Sequence, residues 1–310
     1  MNFCIVVYLI FILYYLLMIA YKHLWLKELD LKLRYGKRTW VMITGANSGQ
    51  GERYAIEFAK RGFNIILCGY SSCNAVAEHI KQKYNIKTKV IECDFVHAWK
   101  DDFFVDFEKS FAKHDISILI NNVGYRSGWK SYENMPANEI RNTIAVGTIV
   151  QSVLTKLALQ HFRKRNRVGL YKSAIINITA QLTHTPLFPL QYSVYTIPYI
   201  SVYQSSNAYG FFHSNSIQSE YGDTYDILNI TPGAVLTENS SYLNNTFGVV
   251  SSKVFVQHCI KLLGNVQGPT YGCWLHELSD LFAFLAPPSI LAKAGELIAV
   301  DFMKKHDQHN

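Results

Sequence analysis

The run TGANSGQG, residues 44–51, places Gly45, Gly49 and Gly51 between an apolar run and a helical pattern. Such a turn needs glycine for three reasons: to bend tightly, to let the backbone approach a pyrophosphate, and to let a helix close on a strand. The N–H groups at the helix start then serve as phosphate donors. The chemistry implied is dinucleotide binding. A second signal is negative: from Ser173 through Ser252 the chain has no lysine and no arginine. That stretch therefore supplies no ammonium or guanidinium group to any site. The six cysteines form no CxxC pair and show no metal-like spacing with histidine, so no metal is expected.

Around this turn the pattern is βαβ. Trp40–Ile43 reads as a buried strand, about Glu52–Arg61 as a helix and Asn64–Leu67 as a second strand. A helix near Asn74–Tyr84, the strand KVIECDF and the strand ISILINNVG continue the alternation. A long helix over about Ile144–Arg163, the strand SAIINITA, the helix SSNAYGFFHSNSIQSEYG and the strand YDILNITPG complete it. Strands alternating with such helices predict an α/β fold, a Rossmann-like doubly wound parallel sheet with helices on both faces. No internal repeat interrupts it.

TGANSGQG, then NNVG (Asn121–Gly124), then PGAVLT (Pro232–Thr237), in this order and spacing, resemble the short-chain dehydrogenase/reductase family. Within that family the chain is most like the membrane-anchored 17β-hydroxysteroid dehydrogenase and very-long-chain 3-oxoacyl-CoA reductase group. The carriers are RYAIEFAKRGFNIIL, ILINNVG and the place of SEYG downstream of Tyr203, and the likeness spans roughly residues 38–305. The resemblance implies an NAD or NADP cofactor. Gly45, Gly49 and Gly51 would cradle its phosphates and Asp94 would contact the adenine. Asn121 and Gly124 would line the cleft, and Thr237 would lie near the nicotinamide amide. Relatives that use NADP carry an arginine where this chain has Tyr70, and no acidic residue replaces it, so the residues do not choose between the two cofactors.

The family's reaction is hydride transfer between nicotinamide and a carbonyl or alcohol carbon. It uses a tyrosine as general acid/base, a lysine that lowers the phenol's pKa from about 10, a serine that polarises the substrate oxygen, and a relay asparagine. By resemblance Tyr203 is the tyrosine, while Asn207, Ala180 and Gly147 stand at the lysine, serine and asparagine positions. A rival register pairs Thr179 with Tyr192 and puts Thr196 in the lysine slot. Neither register supplies a cation, and the only local substitutes are His184 and His213.

The segment Phe3–Ala20 is free of charge and close to the length of a bilayer span. Lys22, Lys27, Lys32, Arg34, Lys37 and Arg38 follow it, which predicts a main domain on the cytosolic or matrix side. The expected map is a transmembrane anchor at 1–21, a basic connector at 22–38, the Rossmann domain at 39–276 and a C-terminal helical extension, suited to a membrane surface, at 277–310. The net charge of +7 is concentrated near the span and the C-terminus, with no basic stripe interleaved with aromatics, so no nucleic-acid partner is expected. Sequons begin at Asn177, Asn229, Asn239 and Asn244, two of them in runs read as buried strands, so the thiols are expected reduced and the domain not lumenal. The tail KKHDQHN sets its lysines too far from the C-terminus for dilysine retrieval, which leaves endoplasmic reticulum and mitochondrial inner membrane both open.

Three functions fit these residues. One is a non-catalytic accessory or structural subunit of a membrane assembly, or a homo-oligomer, that keeps a nucleotide cleft. Another is an active NAD(P)H-dependent 3-oxoacyl-CoA or 17β-hydroxysteroid reductase, and a third is a nucleotide-sensing module. The missing cation favours the first, and the three intact motifs keep the others in contention.

Overall fold

The computed structural model describes residues 2–125, 128–169, 171–180, 197–237 and 248–287, with residues 290, 293, 295–297 and 300. In chain order these form α1 (Asn2–Ala20), a π-helical turn (Tyr21–Trp25), α2 (Leu31–Tyr35), β1 (Trp40–Thr44), α3 (Gly49–Lys60), β2 (Asn64–Gly69), α4 (Cys73–Tyr84) and β3 (Thr88–Glu92). Then come α5 (Val105–Lys113), β4 (Ile116–Asn121), α6 (Ala137–Ile144), a second π-helical turn (Ala145–Ile149), α7 (Val150–Val168) and β5 (Ala174–Ile178). The chain continues through α8 (Ser201–Tyr221), β6 (Asp226–Ile230), β7 (Val235–Leu236), β8 (Val250–Ser251), α9 (Ser252–Leu262), β9 (Gly268–Thr270) and α10 (Trp274–Leu285).

Among the described residues, seven strands make one parallel sheet in the order β3-β2-β1-β4-β5-β6-β9. Strand period two divides its core. Val41 and Ile43 face one layer with Tyr54 and Phe58 of α3 and Phe255 of α9. Met42 faces the other with Phe107 of α5 and Leu154 and Phe162 of α7. The order reverses between β1 and β4, so the C-terminal ends of these strands open a crevice where an α/β sheet takes its ligand. Asn177 and Asn229, the two sequons on strands, are 0% and 1% exposed. Among the described residues Cys68, Cys73, Cys93, Cys259 and Cys273 are free thiols.

The apolar helix from Val6 to Trp25 stands almost clear of the sheet and fits a single transmembrane helix. The segment that follows is packed, not slack. Leu31 and Tyr35 belong to the main core, and Asp30 caps α2 by accepting from the N–H groups of Lys32 and Leu33. Arg34 reaches Asp226 through Nε at 2.6 Å and Nη2 at 2.8 Å, and the Tyr35 hydroxyl donates to the same carboxylate at 2.7 Å. The carboxylate holds the Arg34 guanidinium above its usual pKa, chiefly through that hydrogen bond. α10 begins at Trp274 and runs against α1, with Leu278 and Leu281 on Phe11, Ile12 and Tyr15.

Candidate functional site

The glycine turn between β1 and α3 has the geometry its sequence demands. Gly45 and Gly49 take φ of 64° and 58°, the left-handed region that a side chain resists. Gly51 is small for a different reason: a Cβ there would collide with the Gly45 carbonyl oxygen and lie 2.7 Å from Asn122 Nδ2. Asn122 locks the turn by donating from Nδ2 to the Thr44 carbonyl at 2.9 Å, while the Thr44 hydroxyl accepts from the N–H groups of Asn122 and Val123. The turn forms one wall of a cleft of about 240 Å³ that also includes Asp94, Gly124 and Thr237. Thr237 stands against Gly49, 3.2 Å from where a Cβ would project. Asp94 accepts from the Val96 N–H at 3.1 Å and from the Tyr70 hydroxyl at 3.3 Å, so the residue at the NADP-arginine position is tied to the expected adenine contact. Burial, followed by the Asp94 charge, raises the Tyr70 pKa.

These residues fit a dinucleotide. Two left-handed glycines and a third that admits no Cβ make a phosphate cradle on the first turn of α3, whose N-cap Ser48 forms no side-chain cap. Gln50 keeps a buried acceptor, Oε1, without a hydrogen-bond partner. Its side chain stands in the wall shared with the next pocket.

That pocket, about 130 Å³, brings together Tyr203, Asn207, Gly147, Asn121, Gly124 and Thr179. Three residues named from the sequence line it together: Tyr203 on α8, Asn207 one turn later on the same face, and Gly147 on the π-helical turn before α7. Tyr203 packs with Ile197, Ile200 and Trp129. Asn207 turns its Nδ2 back to the Tyr203 carbonyl at 2.9 Å. Thr179, paired with Tyr192 in the rival register, donates its hydroxyl to the Ile230 carbonyl at 3.3 Å, so that hydroxyl is engaged with β6. Ala180 follows Thr179 at the end of β5 without lining the pocket. Among the described lining residues none carries a charge. His213 lies further along α8, outside the pocket's described lining, where Gln151 Nε2 approaches its Nδ1 at 3.4 Å, and burial lowers its pKa. Tyr192, Thr196, His184, Asn239 and Asn244 lie outside the described residues.

Gly147 is held at close quarters: a Cβ there would fall 2.7 Å from Ser206 Oγ and 2.8 Å from Ser206 Cβ. Gly147→Asn, which restores the family's residue type, is therefore expected to destabilise the fold by about 1–3 kcal/mol through overpacking. A chemical denaturation midpoint unchanged from wild type would refute the close contact between this π-helical turn and α8.

Several residues that shape the site escaped the sequence reading. Asn122 lies within NNVG and was legible there. Gln151, which donates from Nε2 to the Gly210 carbonyl at 3.1 Å and to Ser214 Oγ at 2.9 Å, gave no signal because it sits in an ordinary helical pattern. His276 of α10 accepts from the Gly233 N–H at 3.2 Å and so pins the PGAVLT loop. Burial, the largest influence, lowers its pKa and keeps it neutral for that role. Asn121 stitches the sheet as well as lining the pocket, donating to Asn177 Oδ1 at 2.8 Å and Thr155 Oγ1 at 3.2 Å.

Comparison with known proteins agrees with this geometry. Residues 39–247 match the family described as short chain dehydrogenase. Human 17-beta-hydroxysteroid dehydrogenase type 3 is 31% identical over 253 residues, covering 80% of this chain and 75% of that protein. The very-long-chain 3-oxoacyl-CoA reductase of Bos taurus is 28% identical, covering 86% and 82%. Inactive hydroxysteroid dehydrogenase-like protein 1 of Rattus norvegicus is 27% identical, covering 83% and 74%. Among solved structures, a short-chain dehydrogenase from Sphingobium yanoikuyae in complex with NADPH superposes with a TM-score of 0.62 at 22% identity, covering 75% of this chain and 87% of that one. At that identity the likeness shows the fold. The family match, the spacing of its three motifs and the parallel sheet that carries them agree: this chain belongs to the short-chain dehydrogenase family.

Proposed function

We propose that the protein is a non-catalytic, membrane-anchored short-chain dehydrogenase that keeps a nicotinamide dinucleotide cleft and serves as an accessory subunit of a membrane protein assembly. The observation that carries this reading is the pocket around Tyr203, whose described lining residues carry no charge. By the resemblance Asn207, Ala180 and Gly147 stand at the positions of the other catalytic groups, and among the described lining residues no ammonium group is present to stabilise a phenolate. Loss of general acid/base chemistry alone removes about 10²–10⁴ in rate. Gly45, Gly49, Gly51 and Asn122 would hold the pyrophosphate, with Asp94 toward the adenine and Asn121, Gly124 and Thr237 toward the nicotinamide end. A nucleotide bound only by the native state then stabilises the fold by mass action. The basic residues that follow the span support a main domain on the cytosolic or matrix side of the endoplasmic reticulum or mitochondrial inner membrane.

A second reading is supported by Tyr203 itself, which faces the pocket beside the cleft. On that reading the protein reduces a 3-oxoacyl-CoA or a 17-ketosteroid with NAD(P)H. The two are separated with full-length protein in detergent, by titrating NADH and NADPH and assaying both substrate classes. Saturable binding of at least one cofactor without turnover is expected. Turnover that disappears in Tyr203→Phe would overturn the non-catalytic reading. Absence of binding would remove the cofactor from it.

A further inference from the structure

We propose that α10 is seated inside the bilayer beside α1, so that the protein holds the membrane with two antiparallel helices and not with a lone span. The argument begins with depth. α1 and its π-helical continuation supply the apolar window Val6–Trp25. At about 1.5 Å per residue, Tyr15 lies about 15 Å from Trp25, which is the middle of a hydrocarbon core about 30 Å thick. Leu278 and Leu281 pack on Phe11, Ile12 and Tyr15. Whatever touches those residues while α1 spans is itself at mid-membrane depth.

The contact does not depend on the two helices alone. Lys22 Nζ meets both Glu277 oxygens at 2.9 and 3.0 Å, His23 Nε2 approaches at 3.3 Å, and the Thr270 hydroxyl donates at 3.0 Å, all around a carboxylate with 0% exposure. Removing one partner of a buried pair of this kind leaves an uncompensated charge and is strongly destabilising. The segment behind it is tied as well. Lys261 Nζ donates to the His23 carbonyl at 3.0 Å, Asn265 Nδ2 to the Lys27 carbonyl at 2.9 Å, and Arg61 grips Glu28 at 2.6 and 2.8 Å. With Arg34 and Tyr35 on Asp226, the base of α1 is fixed to the domain, so α1 does not swing away from α10. Insertion of one helix carries the other.

The chemistry of α10 suits lipid. Its two acids on the inner face, Glu277 and Asp280, are both 0% exposed and turned to protein. Its outward positions Ser279 and Ala283, one turn apart, carry no charge. Around the base, Leu24, Trp25 and Trp274 are 73%, 66% and 47% exposed, an apolar and aromatic rim of the kind that sits at headgroup level. The partner is therefore the acyl region of a bilayer, and this inference is independent of whether the cleft binds a nucleotide.

The test uses full-length protein in phosphatidylcholine vesicles whose chains are brominated at mid-depth, with tryptophan fluorescence as the readout. Ser279→Trp and Ala283→Trp report on α10, Tyr14→Trp on α1 and Lys113→Trp on α5. The emission added by Ala283→Trp is expected to fall by half or more, that of Ser279→Trp by less, and that of Lys113→Trp not at all. Ser279 is exposed, so its variant keeps the experiment readable if Ala283→Trp fails to fold. Quenching of Tyr14→Trp with neither α10 probe quenched beyond Lys113→Trp overturns the proposal, because α1 then spans without α10. An unquenched Tyr14→Trp overturns it through its premise.

Discussion

Asn207→Lys combined with Ala180→Ser is expected to give carbonyl reductase activity about 10²–10⁴ above the protein's own background. Asn207 lies one helical turn beyond Tyr203 on the same face of α8, and its amide is at present spent on the Tyr203 carbonyl. A lysine in its place has a four-carbon stem that carries the ammonium into a pocket lined by no other charge among the described residues. In such a site an opposite charge acts strongly on a phenol, favouring the phenolate form that proton transfer requires. Ala180→Ser places the family's hydroxyl type next to Thr179, just beyond the pocket's described lining, to polarise a carbonyl that reaches the end of β5, a task for which the Thr179 hydroxyl, donated to Ile230, is not free. The measurement is NADH and NADPH oxidation with a 3-oxoacyl-CoA and with a 17-ketosteroid. The result must vanish when Tyr203→Phe is added to the double variant. A double variant that binds cofactor and shows no Tyr203-dependent turnover would mean that the pocket is misaligned as well as uncharged.

Asp226→Ala is expected to destabilise the protein by about 3–5 kcal/mol, the cost of stripping one partner from a buried charged cluster. Asp226 is 1% exposed and accepts from Arg34 twice and from Tyr35, whose ring is fully buried. Its removal orphans the Tyr35 hydroxyl and leaves the guanidinium without a counter-charge. Asp226→Asn, which keeps an acceptor oxygen, is expected to lose less. Thermal unfolding of the two variants checks the order, and equal midpoints for Asp226→Ala and wild type would show that the strap of residues 34–36 carries no stability. A loss of this size is also expected to make the α1–α2 segment accessible to protease before the sheet unfolds.

The sheet and the nucleotide turn were legible because their physics is local. Glycine in a left-handed turn, a buried β run and a helical period are all properties of neighbouring residues. Besides α2 and the two-residue strands β7 and β8, three elements were not anticipated. β9 is three residues long, Gly268–Thr270, too short for a period and containing a proline. α5 carries its apolar face on Phe107 and Phe111 alone, and α9 follows a segment with no strand signal. The long helix expected from Ile144 begins at Ala137, because the π-helical turn at Ala145–Ile149 shifts the helical phase that the reading relied on. Segment 22–38 reads as a basic connector because charge is visible in sequence, while its attachment to Asp226, on a strand far along the chain, is not. The same limit hid His276 from the loop it pins and Gln151 from the pocket it lines. Tyr203, Asn207 and Gly147 were brought together by resemblance, and the structure places them around one space.

The contact between Gly147 and Ser206 bears on the history of the site. Each residue needs the other to be small, since a Cβ at 147 would meet both the Oγ and the Cβ of Ser206. A lineage in which both are settled cannot regain a relay side chain by a single substitution. To avoid that overpacking Ser206 must first become glycine, at the cost of a gap between the π-helical turn and α8 and with no gain in chemistry. The packing of this turn on α8 thus works as a ratchet, and a relay side chain at 147 is reached only through a less stable protein.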